Sequence, residues 1–183
     1  VRCNPGRGER CARIRPHYDG RLKEAPTPHG DDELIASLNE ILSAELTAIN
    51  QYFIHAKMCA NWGYLRLAKK KREESIEEMR DADRLIERIL YLGGTPNMQR
   101  LFPVRVGENA VEQHELDLAL EHAAVERYNR AIGLAVAKAD NGTRELLERH
   151  LVTEEKSVDW LESQLHVIRE IGKERYLAEQ AGE

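Results

Sequence analysis

The sequence predicts an all-α protein: four long helices packed as a bundle, a long crossover between the second and third, and a short helix at the C-terminus. Three observations carry this. Apolar residues recur in alternating steps of four and three over four stretches, the period of one helix face. No stretch alternates apolar with polar as a half-buried strand does, and aromatic residues make up only 5% of a chain that is 32% charged. At 183 residues the chain is long enough for one domain with its own core.

Residues 1–30 stand apart. Seven basic groups (Arg2, Arg7, Arg10, Arg13, Arg15, Arg21, Lys23) face three acids, a balance of +4 that leaves −9 for the rest of a chain whose net charge is −5. Four of the six prolines lie there and no apolar period does, so the segment reads as a disordered basic arm. It is a solvated extension or a contact for nucleic acid, a membrane surface or a protein. The bundle is expected over 31–172, with a short helix and tail over 173–183.

The first helix opens at Asp31 and Asp32, acids suited to a helix N-terminus, and closes at Gly63. Its seam is Leu38, Leu42, Glu45, Ile49, Tyr52 and Ala56. The second runs from about Tyr64 to Leu92, stopped by Gly93, Gly94 and Pro96, on a seam of Ala68, Lys71, Ser75, Glu78, Ala82, Leu85, Ile89 and Leu92. A linker of roughly seventeen residues follows, Gly94 to Ala110. The third helix covers Val111 to Ala137 on Val111, His114, Leu118, Glu121, Val125, Tyr128 and Ile132. Asp140-Asn141-Gly142 is the expected reversal, and the fourth helix spans Thr143 to Ile171 on Leu147, Leu151, Glu154, Val158, Leu161, Leu165 and Ile168. Beyond Gly172 a short helix, Lys173 to Gln180, remains. Short connections make antiparallel hairpins, and the long linker can run the length of the bundle and set helices two and three parallel.

Composition narrows the function classes. There is no run of eighteen apolar residues, hence no expected membrane span. No hydrophobic stretch follows the basic N-terminus, so no signal peptide is expected. Three cysteines, Cys3, Cys11 and Cys59, are too few and too unevenly placed for a disulfide framework or a zinc motif, which points to the cytoplasm.

Each seam carries one glutamate at mid-depth: Glu45, Glu78, Glu121 and Glu154. One such glutamate would ordinarily snorkel outward or pair with a basic neighbour. Four at matching depth would put four negative charges within a few ångströms of one another in low dielectric, which requires cations or protons to compensate. That pattern marks a metal site or its remnant. A second apolar stripe lies on another face: Ile76, Met79, Ile86 and Leu90 on the second helix, Leu46, Ile49 and Phe53 on the first. A helix apolar on two faces needs two partners, and a methionine there reads first as packing between two copies.

Several stretches resemble bacterioferritin: Glu45-Leu46-Thr47-Ala48-Ile49-Asn50-Gln51-Tyr52-Phe53, Glu74-Ser75-Ile76-Glu77-Glu78-Met79, Ala82 to Leu90, Asp117 to Glu121 and Asp159-Trp160-Leu161-Glu162. The resemblance runs from about Asp32 to Gln180 and leaves only the arm outside. It implies a ferritin-like bundle, a cytoplasmic shell of twenty-four subunits storing a ferric iron mineral, and haem b between paired subunits. It also implies an intrasubunit di-iron ferroxidase centre. Glu78 and Glu154 would be its bridging carboxylates, Glu45 and Glu121 the terminal ones. Met79 and its symmetry mate would be the haem's axial thioethers, in a pocket of Leu46, Ile49, Asn50, Phe53 and Ile76, with Arg72 and Arg80 placed to meet propionates. A ferredoxin-type reductant is the implied electron donor; neither a membrane nor a clear nucleic-acid partner is expected.

The chain departs from the family where the chemistry is. Ferritin-like carboxylate sites carry Glu-x-x-His on each of two helices, the imidazole one turn beyond the glutamate. Here Asp81 and Ser157 occupy those positions. Asp81 is a candidate metal ligand beside the four glutamates, but it is shorter than histidine and brings a fifth negative charge, and a serine hydroxyl is a poor neutral ligand for iron. His150 and His114 are candidate replacements, His114 too far along the axis, and Lys71 could lean toward the carboxylates of an empty site. Three readings stay open: a haem-bearing shell subunit with an impaired centre, co-assembling with a competent one; an active ferroxidase with an unusual ligand set; or a non-catalytic structural four-helix protein.

Overall fold

The computed structural model describes residues 30–182 and is helical almost throughout. Helix α1 is Asp32–Asn61, α2 Leu65–Tyr91, α3 Ala110–Ala137, α4 Asn141–Ile171 and α5 Lys173–Gln180. The basic arm, Cys3 and Cys11 lie outside the described residues. Among the described residues no helix is long and apolar enough to cross a membrane.

The helix ends follow side-chain chemistry. The Asp31 carboxylate accepts from the N–H groups of Glu33 and Leu34 at 3.0 and 3.2 Å, satisfying donors that the first turn of α1 leaves without partners. Asn109 does the same for Val111 and Glu112, both at 3.2 Å, which starts α3 one residue before the expected Val111. Gly63 and Gly93, φ 86° and 80°, take the left-handed conformation just past the ends of α1 and α2.

The reversal before α4 differs from the expected Asp140-Asn141-Gly142 turn. Ala139 is the left-handed residue, φ 55°, and Asn141 and Gly142 already belong to α4. Asp140 is held as an N-cap, accepting from Thr143 N–H at 3.0 Å and Thr143 Oγ1 at 2.7 Å while Arg88 Nη2 reaches it at 2.6 Å. The helix therefore begins directly after it. A Cβ on Gly142 would stand 3.0 Å from the Arg88 guanidinium, which lies across that turn.

The crossover follows one stripe of α1. Asn97 N–H donates to Asn39 Oδ1 at 2.7 Å, Phe102 N–H to Thr47 Oγ1 at 2.9 Å, Arg105 N–H to Gln51 Oε1 at 3.1 Å and Gly107 N–H to His55 Nε2 at 3.0 Å. Side chains spaced by whole turns thus satisfy an irregular backbone along the length of α1. The chain leaves α2 near the start of α1 and enters α3 near its end, so α2 and α3 run parallel, as the linker length predicts.

The main core joins Leu38, Leu42, Leu85, Ile89, Tyr128 and Leu147; a smaller one of Cys59, Leu67, Ala110 and Tyr176 closes the other end and anchors α5. The seams are rotated slightly from expectation. Ile49 is half-buried while Ala48 points inward, and on α3 the buried stripe is Ala124, Tyr128, Ala131 and Ala135, with Val125 and Ile132 at its edge. Small side chains on the inner stripe let helix backbones approach, and the branched residues pack at the flanks.

Candidate metal centre

The four helices each bring their glutamate to the middle of the bundle. Glu45, Glu78, Glu121 and Glu154 are 2, 5, 0 and 3% exposed, so none snorkels to solvent. Glu45, Glu78 and Glu154 offer oxygens that all lie within 4.8 Å of one another, and Glu121 lies close enough to Glu154 for their charges to couple. Ala44, Ala48 and Ala124 leave beside Glu45, Glu78 and Glu154 a cavity of about 10 Å³, room for one small atom.

Two tyrosines orient the terminal carboxylates. Tyr52 Oη donates to Glu121 Oε1, and Tyr128 Oη donates to Glu45 Oε1 at 2.8 Å. Burial, then the facing carboxylates, push both phenols well above their ordinary pKa, so they remain donors. The other oxygens, Glu45 Oε2 and Glu121 Oε2, have no N–H or O–H partner.

Carboxyl protons resolve that deficit in the absence of metal. Burial raises all four glutamates. Charge on Glu154 adds to the effect at Glu78, and charge on Glu121 adds to it at Glu154, while Glu121 is pushed up to about 7. The four carboxyls therefore share protons where cations would otherwise balance the charge. The donor set, four oxygen-rich and negatively charged groups, fits divalent iron as substrate.

The positions one turn beyond Glu78 and Glu154 face other partners. Asp81 accepts from Arg84, and burial followed by the Glu45 charge raises its carboxyl to about 6. Ser157 Oγ donates to Glu74 Oε2 at 3.3 Å, and Glu74 in turn binds Lys70. His150 is buried against Tyr128, its Nδ1 3.2 Å from Tyr128 Oη, its Nε2 3.5 Å from Asp81 Oδ1. His114 sits in the smaller core, with Nε2 3.0 Å from Tyr176 Oη.

Lys71 corrects the expectation that it would lean on the glutamates. Its ammonium lies 2.5 Å from Asp117 Oδ2. Asp117 Oδ1 accepts from His55 Nδ1 at 2.8 Å and Gln51 Nε2 at 2.9 Å, and His55 Nε2 accepts from the crossover. Burial alone would raise Asp117, but Lys71 and His55 hold it down to about 2. Sequence reasoning overlooked this network; its signal was Gln51 and His55 one turn apart beside the α1 seam, facing Asp117 four residues before Glu121.

Met79 projects outward, 53% exposed, on the face that also presents Phe53 at 44%. Leu46, Ile49 and Ile76 are half-buried around that stripe and Asn50 is exposed, its amide turned onto Leu46 O at 2.6 Å. Arg72 lies over the Phe53 ring at 5.0 Å, and Arg80 pairs with Glu77 at 2.7 Å. An outward thioether on an apolar, arginine-flanked face fits one half of a haem site shared by two copies.

Known proteins share this plan. The family model of the ferritin-like domain matches residues 35–171. A bacterioferritin from Mycolicibacterium paratuberculosis is 48% identical over 150 residues, 82% of this chain and 94% of its own. One from Streptomyces coelicolor is 48% identical over 149 residues, 81% and 89% of the two chains, and one from Brucella melitensis 44% over 147 residues, 80% and 91%.

Proposed function

The chain belongs to the bacterioferritin branch of the ferritin-like family, and from that premise we propose that it is a cytoplasmic iron-storage shell subunit whose intrasubunit iron-oxidation centre is impaired. One observation carries the reading: the four glutamates converge, but the residues one turn beyond Glu78 and Glu154 are a carboxylate tied to Arg84 and a hydroxyl tied to Glu74. Fe(II) as substrate meets enough negative charge to bind but finds no imidazole at either of those two positions. Oxidation is correspondingly slow. Co-assembly with a ligand-complete subunit would supply fast oxidation to a mixed shell, while this chain supplies wall, haem and mineral surface.

Haem b bound between two copies through their Met79 thioethers would carry electrons at a raised potential, suited to reducing stored ferric iron. Leu46, Ile49, Phe53 and Ile76 would exclude water from it, Asn50 would border it, and Arg72 is the better-placed partner for a propionate because Arg80 is already paired.

The test restores what is missing. The Asp81→His/Ser157→His double variant should oxidise stoichiometric Fe(II) at least roughly tenfold faster than the parent chain, the lower end of a 10–100-fold effect. An unchanged rate in a variant that assembles normally would refute the impaired-centre reading.

A further inference from the structure

The two vacated positions lie at opposite ends of the centre. Asp81 is three residues beyond Glu78, about 4.5 Å along α2 toward its C-terminus. His150 is four residues before Glu154, about 6 Å along α4 toward its N-terminus. Because α2 and α4 are antiparallel, these displacements run the same way. Asp81 and His150 reach one level of the bundle, and their side chains, each 3% exposed, meet there at 3.5 Å. At the other end Ser157 meets only Glu74.

His150 Nε2 is buried and without a hydrogen-bond partner. The hydroxyl of Tyr128 has one proton, directed to Glu45 Oε1 at 2.8 Å, so at 3.2 Å it can only accept from His150 Nδ1. That fixes the tautomer: Nδ1 carries the proton and Nε2 presents its lone pair toward Asp81. Metal-bound imidazoles are held in the same way, the far nitrogen donating to an oxygen.

We propose that His150 Nε2 and the Asp81 carboxylate form the nitrogen-bearing edge of a single divalent transition-metal subsite, the imidazole being supplied from α4. The proposal rests on the reading of the four-glutamate cluster as a cation site. Two ligand atoms each about 2.0–2.2 Å from a metal stand roughly 3 Å apart, a small closure from the observed separation. Arg84 donates to Asp81 Oδ1, the same oxygen that faces His150, and the remaining carboxylate lone pairs stay open to a metal ion. Only one end of the centre regains a nitrogen donor, so one ion is held tightly and the second weakly.

Co(II) is the probe. Titrated into the assembled, iron-free shell, it should show one tight class per chain with the visible ligand-field bands of a nitrogen–oxygen site. His150→Gln should weaken that class at least about tenfold and alter the bands, and Tyr128→Phe should weaken it while leaving His150 in place. Equal affinity and identical bands in His150→Gln would overturn the subsite but leave the carboxylate reading standing. No Co(II) uptake by the parent chain would overturn both. Anomalous diffraction from Zn(II)-soaked crystals of the parent chain decides the matter independently of any variant's folding: density bonded to His150 Nε2 supports the subsite, and density only among Glu78, Glu121 and Glu154 contradicts it.

Discussion

Glu121 and its three counterparts make the metal-free protein sensitive to pH in an unusual direction. A carboxyl whose folded pKa is raised, to about 7 for Glu121, contributes stability below its unfolded value and loses it as pH rises through the folded one. His114 and His150, lowered by burial to about 3 and about 4, act oppositely, but only below their ordinary value near 6.5. Above about pH 6.5 the carboxyls dominate. The chelated protein should therefore lose stability as pH rises through about 7, read as a falling unfolding midpoint, and a divalent cation should restore it. A flat profile would mean the four groups do not share protons as described. Lys71 behaves differently because its partner is a depressed acid. Lys71→Met leaves Asp117 buried against His55 and Gln51 alone and should cost about 3–5 kcal/mol in urea unfolding, with no effect on metal uptake.

The elements were largely legible because caps and periodicity are local. Asp31, Gly63, Gly93 and Gly172 mark ends that the structure places within a residue or two. Depth along a seam was legible too, which is why four glutamates could be brought together before any coordinates. Direction around the helix was not: a seam position states how deep a side chain lies, not which neighbour it meets. Lys71 therefore went to Asp117 and Ser157 to Glu74. The crossover shows the same limit, since a polar stripe on α1 reads as solvated surface until a strap covers it. Thr47→Val removes the acceptor of Phe102 N–H and should cost about 1–3 kcal/mol, with faster hydrogen exchange at Phe102 as the direct readout. Ala139→Gly should instead stabilise by about 1 kcal/mol, because Ala139 holds a left-handed conformation that glycine adopts freely.

At the scale of the whole molecule, one chain is incomplete. Phe53, Met79 and Leu90 are 44–58% exposed on α1 and α2, apolar side chains that the chain's own bundle leaves uncovered. Under the proposed function a second copy would cover that face, with Met79 at the two-fold axis. Met79→Leu should abolish the haem absorbance of the purified shell while leaving its sedimentation unchanged; retained haem would remove the assignment. On the proposed reading storage and oxidation separate, the shell surviving where the oxidation chemistry has weakened. Stopped-flow addition of two Fe(II) per chain to the iron-free, unmixed shell under oxygen tests that separation most directly. An impaired centre gives slow Fe(III) formation without a saturable fast phase; a rapid phase that saturates at two Fe(II) per chain would rule the impairment out.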